Sequence, residues 1–183
     1  MTIAPSSARI ACRTAALLIL AACAPGSGSG TAGASDPYAV QVGAPGEATC
    51  LATTPSQNAA AAAATNAPRN SAGLPQVSPS PRLAQVAAAH ACDMARRGRM
   101  THIGTTTSGP ADRLRLLGYT PRITAENIAA GPYQLQRVLR EWHSSRAHLD
   151  NILLPQVEDY GIGQAIAADG RTVYWSAVYA APR

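Results

Sequence analysis

The stretch Tyr160-Gly161-Ile162-Gly163-Gln164-Ala165-Ile166-Ala167-Ala168-Asp169-Gly170-Arg171-Thr172-Val173-Tyr174-Trp175-Ser176-Ala177-Val178-Tyr179 decides how the rest of the chain is read. Its first half alternates through Ile162, Gln164 and Ile166, the period of a strand. Asp169-Gly170 is a strong tight-turn signal, and Thr172 to Tyr179 returns as a β-branched and aromatic run. The reading is a C-terminal β-hairpin. Gly161-Ile162-Gly163 is no phosphate loop, because it leads through a strand and opens no helix.

Upstream of the hairpin the period changes to that of helices. Ser80 caps a helix that Pro81 opens, and Leu83, Val86, Ala87, His90, Ala91 and Met94 form its apolar stripe, with Gly98 as the stop. His90 lies on the stripe and reads as a core histidine with its ring satisfied. Ser56 to Asn70 is Ala-rich and favours helix, ended by Gly73-Leu74-Pro75. A short helix spans Pro110 to Leu117, and residues 122–130 are extended. Pro132 opens a helix with the stripe Leu135, Val138, Leu139 and Trp142, which makes Trp142 a core residue and leaves His143 exposed. Ser145 caps a last helix, Arg146 to Leu153, ended by Pro155. Helices followed by a hairpin predict an α+β layer fold rather than βαβ winding.

The N-terminus reads as an address. Arg9 and Arg13 precede a short apolar run ending Leu20-Ala21-Ala22-Cys23, which makes residues 1–22 a signal peptide and Cys23 the lipidated first residue of a lipoprotein. Residues 23–46, mostly Gly, Ser, Ala and Pro, form a flexible tether, and residues 47–183 the folded domain. Ala24 is not an acidic retention signal, so the expected location is the bacterial cell envelope, at the outer membrane or cell surface. Loss of the leader removes two of the five net positive charges, and what remains is scattered apart from Arg96, Arg97 and Arg99 at a helix end. This excludes a nucleic-acid-binding surface, which needs a basic stripe with aromatic interleaving. Of 4 cysteines, Cys12 leaves with the leader and Cys23 is acylated, so Cys50 and Cys92 remain as one disulfide in an oxidising compartment.

Chemistry concentrates in His102, Glu126 and His148, in a chain with only 4 histidines and 14% charged residues. Two neutral imidazoles and a carboxylate with an open fourth position is a zinc-site composition. The same residues without metal supply a general base, with Glu126 orienting a histidine. Ser145 and His148, three apart on one helical face, suggest a hydrolytic pair, but no oxyanion motif accompanies them and capping is the simpler role for Ser145. Glu126 as a buried carboxylate that pins its own segment is a purely structural alternative.

Met94-Ala95-Arg96-Arg97-Gly98 followed by His102, Glu126-Asn127-Ile128-Ala129, Trp142 with Ser145 and His148, Asn151-Ile152-Leu153, Gly161-Ile162-Gly163 and Tyr174-Trp175 stand in an order that resembles the CAP superfamily. This group of cysteine-rich secretory, antigen 5 and pathogenesis-related class 1 proteins is also called the SCP domain, and the likeness is to its bacterial secreted branch. The resemblance implies a three-layer α-β-α sandwich with a central antiparallel sheet and a large cleft. It places His102, His148 and Glu126 in that cleft as ligands for zinc or another divalent cation, with Asn127 and Ser145 supporting it. Ser145 stands where the family's second acid usually sits, which weakens any two-carboxylate mechanism. The resemblance further implies a monomeric, non-enzymatic module that binds a lipid-like or other extracellular ligand. A metal-assisted envelope hydrolase and a purely structural interaction protein are the alternatives.

Overall fold

The computed structural model describes residues 35–183; the expected signal peptide, Cys23 and the first part of the tether lie outside the described residues. In chain order the elements are β1 (Val40–Gln41), β2 (Thr49–Cys50), α1 (Pro55–Ser71), β3 (Ser78–Pro79), α2 (Pro81–Arg97) and β4 (Arg99–Met100). They continue with α3 (Pro110–Leu116), β5 (Pro121–Gly131), α4 (Leu135–Ser144), α5 (Arg146–Ile152), β6 (Asp159–Ile166) and β7 (Val173–Pro182). The main sheet runs β2-β6-β7-β5 with antiparallel neighbours, and β3 adds a short parallel pairing to β6. Among the described residues no helix is long and apolar enough to cross a membrane.

The pleat of β7 sorts the layers. Trp175, Ala177 and Tyr179 join Ala61 and Ala62 of α1, Val138, Leu139 and Trp142 of α4, and Ile152 of α5 in one core. On the other face Val178 and Ala180 pack on Leu83, Val86 and Ala87 of α2, and Tyr174 on Ala91 and Met94. Successive side chains of a strand point to opposite faces, so a strand covered on both sides reads as a continuous apolar run. Each large apolar side chain so buried contributes about 1.5–3 kcal/mol. The architecture is the expected three-layer sandwich.

Gly161 and Gly163 explain how α2 comes so close to the sheet. A Cβ on Gly163 would lie 2.1 Å from Ala88 N, and one on Gly161 2.1 Å from Ala84 N. Both contacts are with helix backbone, which has no room to yield. Helix α2 starts and stops on its expected signals: the Ser80 hydroxyl accepts from Leu83 N, and Gly98 adopts φ 62. The disulfide joins Cys50 to Cys92 across a separation of 42 residues with the Cα atoms 5.2 Å apart. A loop of that length contributes on the order of 4 kcal/mol in the chain-entropy model.

Four local expectations are corrected. The domain packs from before residue 47: within the expected tether, β1 pairs with β4 through Val40↔Met100 and Gln41↔Arg99. Helix α4 starts at Leu135, because Tyr133 N bonds Gly131 O and places Pro132 in a turn. Ser145 occupies the cap position of α5, but its hydroxyl accepts no bond from the helix. His143 is half-buried, with a buried Nε2 that has no hydrogen-bond partner among the described residues. Arg69 is a further surprise: fully buried, it donates to the carbonyls of Pro75, Ile152, Leu154 and Val157 and ties α1 to the loop after α5.

Candidate functional site

Strand β5 is one edge of the sheet, and the site is built around that edge. An edge strand leaves outward carbonyls without strand partners. Here Asn151 Nδ2 donates to Glu126 O at 3.1 Å and Trp142 Nε1 to Ile128 O at 3.3 Å, so α4 and α5 close the edge with side chains. Asn127 points into the same layer, where its Nδ2 donates to His148 O at 3.1 Å and to Tyr179 Oη at 3.3 Å, and its Oδ1 accepts from Asn151 at 2.9 Å. Asn127 is therefore a clasp between β5 and the helix that carries His148.

Glu126, one residue earlier, points to the α2 layer. Its Oε1 accepts from Arg113 Nη2 at 2.6 Å and from Ser176 Oγ at 3.0 Å, and its Oε2 from His102 Nδ1 at 2.9 Å. Burial would raise the Glu126 pKa, but the charge His90 takes up in acid, then Arg113 and the bond from His102, outweigh it and hold it at about 2. His90 Nε2 stands 3.8 Å from Oε2, beyond hydrogen-bond reach, and donates instead to Thr101 O at 2.8 Å. Burial lowers the His90 pKa and keeps the ring neutral. At neutral pH the standing counter-charge of Glu126 is therefore Arg113.

His102 is held at three points. Its N–H donates to Asp36 Oδ2 at 2.6 Å, its carbonyl accepts from Arg113 Nη1 at 3.0 Å, and its Nδ1 faces Glu126. Since an ionised carboxylate only accepts, the bond makes Nδ1 the protonated nitrogen and leaves Nε2 as the free lone pair in the neutral ring. Burial alone would lower the His102 pKa; the bond to Glu126 and the charges of Glu126 and Asp36 raise it. His148 is half-buried on α5, its ring centroid 6.5 Å from that of Trp142, and its buried Nδ1 has no hydrogen-bond partner among the described residues. Burial, and after it the charge on His102, lower its pKa.

The expected trio thus divides into two kinds of group. His102 and His148 carry ring nitrogens without a protein partner among the described residues, while both Glu126 oxygens are engaged. Among the described residues no three His, Cys, Asp or Glu side chains are grouped to hold a metal ion. Ser145 makes no hydrogen bond to the His148 ring among the described residues and is not arranged as a nucleophile. Sequence reasoning missed Arg113, Ser176, Asp36 and the proximity of His90. Ser176 shares the inward face of β7 with Val178, so a polar residue on a buried strand was its signal. A histidine on the α2 stripe needed a polar partner, which was the signal for His90. Arg113 and Asp36 carried no periodic mark.

The family model described as "CAP: Cysteine-rich secretory protein family" matches residues 62–179, from α1 into β7. The chain belongs to the CAP family. The CAP chain is 31% identical to Bacillus subtilis (strain 168) protein YkwD over 99 residues, which is 54% of this chain and 38% of that protein. It therefore spans well under half the length of this relative. A solved extracellular protein of Bacillus anthracis str. Ames containing a SCP domain aligns with a TM-score of 0.59 and 25% identity, covering 69% of this chain and 43% of that one. An outer surface protein of Borrelia burgdorferi shares the fold at a TM-score of 0.59 and 18% identity, over 66% of this chain and 89% of that one. The CAP elements α1 to β7 coincide with the layers that position His102, Glu126 and His148.

Proposed function

We propose that this CAP domain is an exported, non-enzymatic binding module whose cleft holds a divalent cation between His102 and His148. The observation that carries the reading is the Glu126–His102 bond of 2.9 Å. A carboxylate that takes one imidazole N–H fixes the tautomer, aims the other nitrogen outward and raises its basicity, the arrangement typical of a histidine that ligates a metal. Glu126 then acts as an orienting acid rather than as a ligand, since Arg113 and Ser176 occupy its other oxygen. His148 supports the same reading through its charge state: burial, and after it the charge on His102, lower its pKa and leave the ring neutral at physiological pH. Two imidazoles with water or a ligand group completing the shell suit zinc or a similar borderline cation. The cation, when bound, supplies an attachment point for an oxygen-bearing extracellular ligand such as a lipid headgroup or an envelope component.

Export and anchoring through Cys23 complete the proposal. They are supported by the apolar run ending in Leu20-Ala21-Ala22-Cys23 and by the disulfide, which suits an oxidising compartment. The test of the cleft is a zinc titration of the full-length chain beside His102→Ala and His148→Ala. One site per chain that weakens at least tenfold in both variants supports the reading; unchanged affinity in both overturns it. Release from the membrane fraction by Cys23→Ser tests the anchor, and undiminished retention contradicts it.

A further inference from the structure

The segment read as a tether does structural work at the site. Helix α2 ends in carbonyls with no intrahelical donor, as every helix does, and residues 41–46 supply the donors. Gly46 N donates to Arg96 O at 2.9 Å, Gln41 Nε2 to Arg97 O at 3.2 Å, and Val42 N and Gly43 N to Gly98 O at 2.9 and 3.0 Å. The fit is close: a Cβ on Gly98 would lie 2.3 Å from Gly43 O. The β1–β4 pairing follows through Val40↔Met100. Beyond the end of β4, Asp36 Oδ2 accepts from Thr101 Oγ1 at 2.7 Å and from the His102 amide at 2.6 Å. The backbone from the end of α2 to His102 is thereby held by one continuous strap.

We infer that residues 36–46 are a site-forming strap and that Asp36 is the positioning residue for His102, so that the cation affinity of the cleft is set from the segment joining the domain to its leader. The inference rests on the cation reading only for its affinity consequence; the positional claim stands on its own geometry. Asp36 does not reach the ring. It fixes the backbone from which the ring projects, while Glu126 fixes the ring's rotation, and two independent constraints are what a preorganised ligand needs. A displaced supporting group of this kind costs about 10–100-fold in metal affinity.

The experiment compares full-length wild type, Asp36→Ala, Asp36→Asn and His102→Ala by cobalt titration and by amide hydrogen exchange. Asp36→Ala is expected to weaken cobalt at least tenfold and to speed exchange at His102 and across residues 40–46, while amides of β7 stay protected. Asp36→Asn keeps an oxygen that accepts both bonds and is expected to lie between Asp36→Ala and wild type in both measurements. Wild-type protection at the His102 amide in Asp36→Ala overturns the strap. If wild type binds no cobalt, the cation reading fails, and the exchange measurement still decides the strap. Loss of protection throughout β7 in Asp36→Ala moves the decision to Asp36→Asn, where faster exchange confined to His102 and residues 40–46 supports hydrogen-bond positioning, and wild-type exchange at His102 or β7-wide loss contradicts it.

Discussion

Glu126 and Asn127 are neighbours on β5 and face opposite layers: Glu126 binds Arg113 and His102 on the α2 side, Asn127 binds the His148 carbonyl on the α5 side. The dipeptide thus ties the edge strand to both histidine-bearing segments, to His102 through the Glu126 carboxylate and to α5 through the Asn127 amide.

Replacement of Glu126 by Gln should be costly even without any activity to lose. Arg113 would keep its buried charge and lose its carboxylate partner, and removal of one partner from a buried pair costs about 3–5 kcal/mol. Urea unfolding should show a lower midpoint with an unchanged slope. A midpoint shift equivalent to less than about 1 kcal/mol would show that Arg113 finds water instead.

The same pair sets a pH dependence. The Glu126 pKa is depressed from 4.5 to about 2, so its contribution is complete above pH 4.5 and is lost as pH falls through 2. His90, lowered by burial, adds stability above its ordinary 6.5 that is lost as pH falls through its folded value. His102, raised, acts in the opposite sense: its contribution is present below 6.5 and disappears as pH rises through its folded value. Urea midpoints across this range should therefore fall most steeply below pH 4.5. Flat acid stability would contradict an ionised Glu126.

Gly163→Ala tests the close approach of α2. The added Cβ would meet Ala88 N at 2.1 Å and Ala88 Cα at 2.3 Å. The helix must shift off the sheet, at a cost of about 3 kcal/mol or more. Gly109, at φ 167 with nothing within 4 Å of its Cβ position, is the control, and Gly109→Ala should change stability by less than about 0.5 kcal/mol. Thermal unfolding of the two variants separates the cases, and equal midpoints would contradict the packing argument.

The layers were legible in the chain because period is a local property. The α2 stripe, the Asp169-Gly170 turn and the alternation of β6 each depend on neighbours in sequence, and each was read correctly. The pairing of Cys50 with Cys92 followed from counting. What escaped was set by tertiary contact. Residues 36–46 have the composition of a linker, yet they order because α2 offers carbonyls that need donors. Ser145 has a capping side chain and a cap position, but its hydroxyl finds no helix amide. Arg113 sits on a short helix whose charges look solvated, and only the approach of β5 turns it into the counter-ion of Glu126.

Arg69→Lys provides a test of a feature no local pattern announced. Arg69 spreads its donors over four carbonyls, one in the loop after α1 and three from the end of α5 and the loop beyond it. Lysine keeps the charge but presents one compact donor group and cannot span them, so the loss should be about 3 kcal/mol. Chemical denaturation measures it, and a neutral result would mean that the loop after α5 is held by packing alone.

The central claim is that two imidazoles hold a cation while Glu126 stands behind one of them. X-ray absorption at the zinc edge of the zinc-loaded chain tests this most directly, since imidazole rings give a distinctive outer-shell scattering. The account predicts two imidazole nitrogens at about 2.0–2.1 Å, with the remaining positions filled by oxygen from water or ligand, and one imidazole lost in His102→Ala. A spectrum without imidazole scattering, or one unchanged in His102→Ala, would contradict it.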